Sequence, residues 1–162
     1  GLTGIARAVA RDAAAYVAGR TRGFSHGAAP RPGDDPQVLQ VVGELEAAAF
    51  GAQAALDAVV GPLDRALRAE AAGAPLAEAE VDAVYTAVYA AQQVIARAAL
   101  DAATRLFEVG GASATLRTRG LDRHWRNARV LASHNPLIYR ARLLGDRAVN
   151  GTPLGRHYRL GG

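Results

Sequence analysis

From Val38 to Leu67 apolar residues recur at every third or fourth position: Val38, Val41, Leu45, Ala48, Ala52, Leu56, Val59, Leu63 and Leu67. That spacing puts one apolar stripe along a helix, and no stretch of the chain shows the strict alternation of a strand. Asp35 followed by Pro36 is a helix start, with Asp as N-cap and Pro at the first helical position. The pattern reaches about Ala72, roughly 55 Å of helix at 1.5 Å per residue. Gly61-Pro62 falls inside it and is expected to kink it, because proline removes a backbone donor.

A second stripe follows the turn at Gly73-Ala74-Pro75. It runs through Val81, Val84, Val88, Ala91, Ile95, Ala98, Ala102 and Leu106 and ends at Gly110-Gly111. Glu78, Glu80 and Asp82 lie in its first turns, where acids suit the helix dipole. Ahead of both, Leu2, Ile5, Val9, Ala13, Tyr16 and Val17 share a face of a first helix, and Gly19 to Asp35 reads as a loop. Two shorter helices are expected from about Leu121 to Ala132 and from Pro136 to Val149. Short turns between long helices make an all-α, up-down helical bundle, a single domain over residues 1–162. The 38 alanines and nine aromatic residues fit helices in close contact, since Ala costs little entropy in a helix. A chain that begins inside a periodic pattern, with no cap before Leu2, reads as the C-terminal part of something longer.

Several classes of function drop out. Without cysteine there is no disulfide framework, thiolate metal site or cysteine nucleophile. No apolar run approaches the ~18 residues of a membrane span, and no signal peptide opens the chain; a cytoplasmic protein is expected. Metalloprotease, serine-hydrolase, P-loop and dinucleotide-fold motifs are absent, and His26, His124, His134 and His157 are isolated. All 19 basic residues are arginine, and from Arg117 to Arg159 there are ten against two acids, Asp122 and Asp146. Such a run is either a solvated face or a dock for something anionic.

The stretch LFEVGGASATLRTRGLDRHWRNARVLASHNP, Leu106 to Pro136, is the most informative. The glycine pair supplies a left-handed helix end, and Ala-Ser-Ala after it keeps the surface small enough for a ligand or backbone to approach. Arg123, Arg126 and Arg129 follow at a spacing of three, and two of them are expected to pair with acids. This tract, with Gly145 and Asn150-Gly151, resembles the C-terminal domain of flavin-dependent monooxygenases of the acyl-CoA dehydrogenase superfamily, those of the dibenzothiophene monooxygenase type. GLTGIARAVARDAAAYVAGRTRGF resembles that family's entry into the domain, so the likeness spans nearly the whole chain.

The resemblance implies further domains before this one, flavin at their junction with the bundle, and bundles that pack as a tetramer. It implies that Arg20 reaches the flavin phosphates. Gly110, Gly111 and Ser113 would meet the flavin tail of a neighbouring subunit, Ser113 more weakly where relatives carry Arg. It favours FMN over FAD, a separate flavin reductase and a small organic substrate. Dehydrogenase relatives follow RDAR with Tyr-Glu-Gly-Thr, the Glu being the base. Here RNAR leads to His134 under the Tyr and Asn135 under the Glu, and Asn cannot take that proton. In the monooxygenase branch a histidine at the His134 position stands close to the flavin as acid or hydrogen-bond donor. The plain alternative is that His134 caps its helix.

Two other functions compete. One is an acyl-CoA dehydrogenase with bound FAD and an electron-transfer flavoprotein, which a Glu upstream of Gly1 would favour. The other is a stand-alone helical module binding an acidic protein or nucleic acid, for which no DNA-reading motif speaks. Neither nucleic acid nor membrane is expected as a partner.

Overall fold

Helix α1 (Leu2–Ala18) buries one face and exposes the other: Ala6, Val9, Ala10, Ala13 and Val17 are buried while Arg7 and Arg11 are exposed. Helices α2 (Pro36–Ala71) and α3 (Glu78–Arg105) form a long hairpin, and α1 packs against both. Helix α4 (Asp122–His134) crosses α3 and touches α1, and α5 (Leu137–Asn150) packs on α3. The computed structural model describes residues 1–154, and among them the regular structure is entirely helical. Arg156, His157 and Arg159 of the basic stretch lie outside the described residues. The expected all-α bundle is what forms.

The core is built from alanine faces locked by a few larger side chains. Ala6, Ala13, Ala52, Ala99 and Ala103 are fully buried between Val9, Leu45, Leu106 and Val109. Small side chains at the contact bring helix axes toward the lower end of the usual spacing of about 8–10 Å. That explains how few aromatic residues the core needs.

Helix boundaries follow local chemistry. Asp35 is the N-cap of α2, its carboxylate accepting from Gln37 N at 2.9 Å and from Ala28 N at 3.1 Å. The second bond draws the Gly19–Asp35 loop onto the helix start. Glu80 reaches back to Ala77 N at 3.1 Å, closing the first turn of α3. Pro62 sits inside a continuous α2, so the expected interruption there leaves the helix unbroken.

At the other end of α3 the α-helix stops at Arg105, earlier than the glycine pair suggests, and a 3₁₀ turn carries the chain over Leu106–Val109. Leu106 and Val109 are both buried, and at three residues per turn they lie directly one above the other on the same side. The last two helices begin and end one or two residues later than expected. His134 is therefore the final residue of α4, and Pro136 is the N-cap of α5 rather than its first residue. Asp82 ties the far end down, accepting from Arg147 Nε at 2.8 Å and from Leu154 N at 2.6 Å. Those bonds, the backbone one first, hold its carboxyl below the usual carboxylate range.

Candidate functional site

Tyr16 lies in the last turn of α1, and three of the four residues singled out for cofactor binding, Arg20, Gly110 and Ser113, converge on it while Gly111 faces Phe24. Its hydroxyl is 2.9 Å from Ser113 Oγ. Ser113 Oγ in turn donates to Gly110 O at 2.9 Å. Serine has one proton, so the Tyr16 hydroxyl is the donor of the first bond. The Arg20 guanidinium stands 5.6 Å from the Tyr16 ring centroid and donates to Val109 O at 3.1 Å. Arg119 reaches the same ring, also at 5.6 Å. Arg20, Gly110 and Ser113 thus form one patch at the junction of α1 with the 106–120 segment.

The glycine pair has a concrete reason. A Cβ on Gly110 would collide with the Tyr16 ring and lie 2.7 Å from Ala114 Cβ. A Cβ on Gly111 would lie 2.6 Å from Phe24 Cζ, and Gly111 has a left-handed φ of +54°. Only Gly111 is left-handed; Gly110 has φ −131°. The close approach these glycines permit is therefore made by the protein's own Tyr16 and Phe24 rings. Gly110 is buried behind Tyr16, whereas Ser113 and Arg119 are exposed and Arg20 is half-buried.

Neither Arg20 nor Arg119 has a carboxylate within ion-pair distance among the described residues. Two of the three nearby arginines of α4 do. Arg123 pairs with Asp12 and Arg126 with Asp122 at 3.2 Å, while Arg129 stacks on Trp125 at 5.6 Å. Two of the three pair with acids, as expected, Arg123 with an acid on another helix and Arg126 with one a turn back on α4 itself.

His134 is not part of that patch. It ends α4, about 18 Å along the helix from Asp122 by the 1.5 Å rise per residue. Its ring is exposed and, among the described residues, makes no hydrogen bond or ion pair, so the bond that would make it a helix cap is missing here. The turn beyond it is fixed from α3: buried Gln93 donates from Nε2 to Leu137 O at 2.9 Å. Asn135 lines a hollow of about 310 Å³ with Tyr89, Tyr139 and Arg140, whose guanidinium is 4.9 Å from the Tyr89 ring centroid.

One interacting pair was invisible in the sequence. His124, isolated along the chain, is buried on α4 with Nε2 2.9 Å from Asp12 Oδ2 on α1. Arg11 and Arg123 contact the same carboxylate. Burial pushes the Asp12 carboxyl up, but the bonds from His124 and Arg11 and the charges of Arg11 and Arg123 outweigh it and hold it low. The signal existed only as an unexplained acid on the rim of α1's apolar face. Among the described residues no group of His, Cys, Asp and Glu could hold a metal ion. No helix among them is long and apolar enough to cross a membrane.

Comparison with known proteins gives this geometry a context. The family model described as "Acyl-CoA dehydrogenase, C-terminal domain" matches residues 2–137. A probable FMNH2-dependent monooxygenase, SfnC, of Pseudomonas putida is 33% identical over 147 residues, covering 91% of this chain and 36% of that protein. The dibenzothiophene monooxygenase of Mycolicibacterium goodii is 28% identical, covering 91% and 35%. Among solved structures, the methanesulfinate monooxygenase MsuC from Pseudomonas fluorescens superposes with a TM-score of 0.84 at 33% identity, covering 94% of this chain and 38% of that one. FMN-bound TdsC from Paenibacillus sp. A11-2 gives a TM-score of 0.84 at 28% identity, covering 93% and 37%. The chain spans a little over a third of the length of these relatives.

Proposed function

Because the chain belongs to the acyl-CoA dehydrogenase C-terminal domain family, we propose that it is the flavin-contacting helical bundle, residues 1–162, of a longer FMN-dependent monooxygenase. The observation that carries this reading is the patch around Tyr16, where Arg20, Gly110 and Ser113 come together and Arg20 has no carboxylate partner among the described residues. A guanidinium left unpaired among hydroxyl and backbone groups suits a phosphate, since its planar fork donates to two oxygens at once. Bound reduced flavin would supply the two electrons with which one atom of O2 would pass to a small organic substrate and the other leave as water. Arg20 would hold the phosphate, Gly110 and Gly111 shape the backbone beneath it, and Ser113 fixes Tyr16. His134, exposed and without a hydrogen bond among the described residues, would donate or hold a proton at the reacting end of the flavin.

The distance between these groups supports assembly of more than one copy. His134 and the Tyr16 patch lie toward opposite ends of α4, which is roughly 18 Å long at 1.5 Å per residue. One bundle would therefore serve the ring of one flavin and the phosphate of another, as a tetramer allows. Phe50, Ile138 and Val149 are more than 70% exposed, apolar surface that neighbouring bundles would cover. A flavin reductase as electron donor and a cytoplasmic location complete the proposal.

The dehydrogenase alternative needs a base, and the position under its Glu is Asn135, an amide. The helical-module alternative would use the arginine face, but Arg123, Arg126 and Arg129 are engaged within the bundle. The test is Arg20→Gln in the full-length protein. Losing hydrogen bonds to a charged group costs about 1.5–3 kcal/mol, so FMN should bind roughly 10–150-fold more weakly while riboflavin binding stays unchanged. Equal weakening of both ligands would point away from a phosphate contact.

A further inference from the structure

Between the first turns of α1 and the middle of the α2–α3 hairpin lies a hollow of about 470 Å³, well away from the Tyr16 patch. That volume falls within the range of about 300–1,000 Å³ of small-molecule sites. Its wall is mixed: Leu56, Val59 and Ile95 make an apolar side, and Thr3, Arg7 and Arg140 bring polar atoms to it. Thr3 and Arg7 are four residues apart on α1 and share one face, with Cβ atoms about 5–6 Å apart in a regular helix. Thr3 is only 7% exposed, yet its hydroxyl makes no hydrogen bond among the described residues. Arg7 makes neither hydrogen bond nor ion pair among them, and no Asp or Glu among them lines the hollow. Buried polar groups are usually paired, so an unpaired hydroxyl beside an uncompensated guanidinium equips this hollow to hold a negatively charged group.

We propose that this hollow binds a small organic acid, its oxyanion held by Arg7 and Thr3 and its apolar body laid against Leu56, Val59 and Ile95, and that this acid is the substrate. The Thr3 hydroxyl and the Arg7 guanidinium both donate to oxygens of the acid. Arg140, half-buried and stacked on the buried Tyr89 ring at 4.9 Å, adds a second positive charge to the wall. Arg140 also lines the smaller hollow beside Asn135, so the site adjoins the turn that follows His134. That adjacency is what makes the acid a substrate. This last step rests on the flavin reading above, whereas the binding of an acid does not. The apolar side excludes a ligand that is charged throughout, and the arginines disfavour a neutral one.

The experiment is calorimetric titration of the full-length protein with hexanoate, its neutral isostere hexanamide, and butanoate at constant ionic strength. Hexanoate is expected to bind roughly tenfold more tightly than hexanamide, through its charge. It should exceed butanoate by roughly tenfold as well, from two more buried methylenes. Arg7→Gln should weaken hexanoate roughly tenfold while hexanamide and FMN bind as before, and Thr3→Val should weaken it roughly 3–10-fold. Arg126→Gln, which lies outside the hollow, should change none of these values. In the FMN-loaded protein hexanoate should also shift the flavin absorbance bands, as a ligand beside the ring does. Equal binding of hexanoate and hexanamide, or wild-type hexanoate affinity in Arg7→Gln, overturns the site. Binding with the expected preferences but without a flavin shift overturns the substrate assignment and leaves the acid site standing. If FMN itself fails to bind, the flavin reading falls, and the hexanoate titration still decides the site.

Discussion

His134→Ala in the full-length protein, supplied with reduced FMN and oxygen, is expected to slow formation of oxygenated product by roughly 10²–10⁴-fold, the usual contribution of a positioned acid or base. FMN affinity should stay within a few-fold, because the ring lies at the far end of α4 from the arginines that would hold the phosphate. Oxygen should still be consumed, but released as hydrogen peroxide. Asn135→Ala should do much less, since a side-chain amide does not ionise and serves as neither acid nor base at any accessible pH. The comparison is made by stopped-flow absorbance of the flavin alongside product and peroxide analysis. Wild-type coupling between oxygen consumed and product formed in His134→Ala would remove the catalytic role.

The second large effect is on stability. Asp12→Ala strips the buried His124 of its partner and leaves Arg123 without its carboxylate. Hydrogen bonds to charged groups are worth about 1.5–3 kcal/mol, so a loss of that size is expected in urea denaturation at neutral pH. The pH dependence has a definite sign. The folded-state pKa of Asp12 lies below its ordinary value, so the folded chain binds fewer protons than the unfolded chain in that range. Its contribution is complete above the unfolded value of about 3.9 and disappears as pH falls through the folded one. Asp12→Ala should accordingly differ from wild type at pH 7 and converge with it in strong acid. A difference under about 0.5 kcal/mol at pH 7, or one that persists unchanged into acid, would show that the pair does not clamp α4 to α1.

These two residues also mark what the sequence can and cannot disclose. The stripes from Val38 to Leu67 and from Val81 to Leu106 announce the hairpin because helical burial is periodic, and Asp35-Pro36 announces its start because capping is local. The end of α3 was less legible. Gly110-Gly111 marks a change of direction, but the 3₁₀ turn at Leu106–Val109 depends on both residues being buried against other helices. The glycines' neighbours, Tyr16 and Phe24, lie more than eighty positions away along the chain. The same holds for Asp12 and His124. Their spacing carries no pattern, so only the packing of α4 on α1 reveals the pair. Arg20 and Ser113 were visible through family likeness; Arg119, which faces the same ring, was not.

Flavin, by the proposal above, meets this bundle at two separated places, by its phosphate near Tyr16 and by its ring near His134. Hydrogen exchange of the full-length protein with and without FMN tests it most directly. The expected result is slowed exchange in residues 16–24 and 109–121 and around the turn 133–137, with none at the α2–α3 hairpin tip, residues 61–80. Protection confined to the hairpin tip, or unchanged exchange throughout 1–154 with FMN bound, would contradict it.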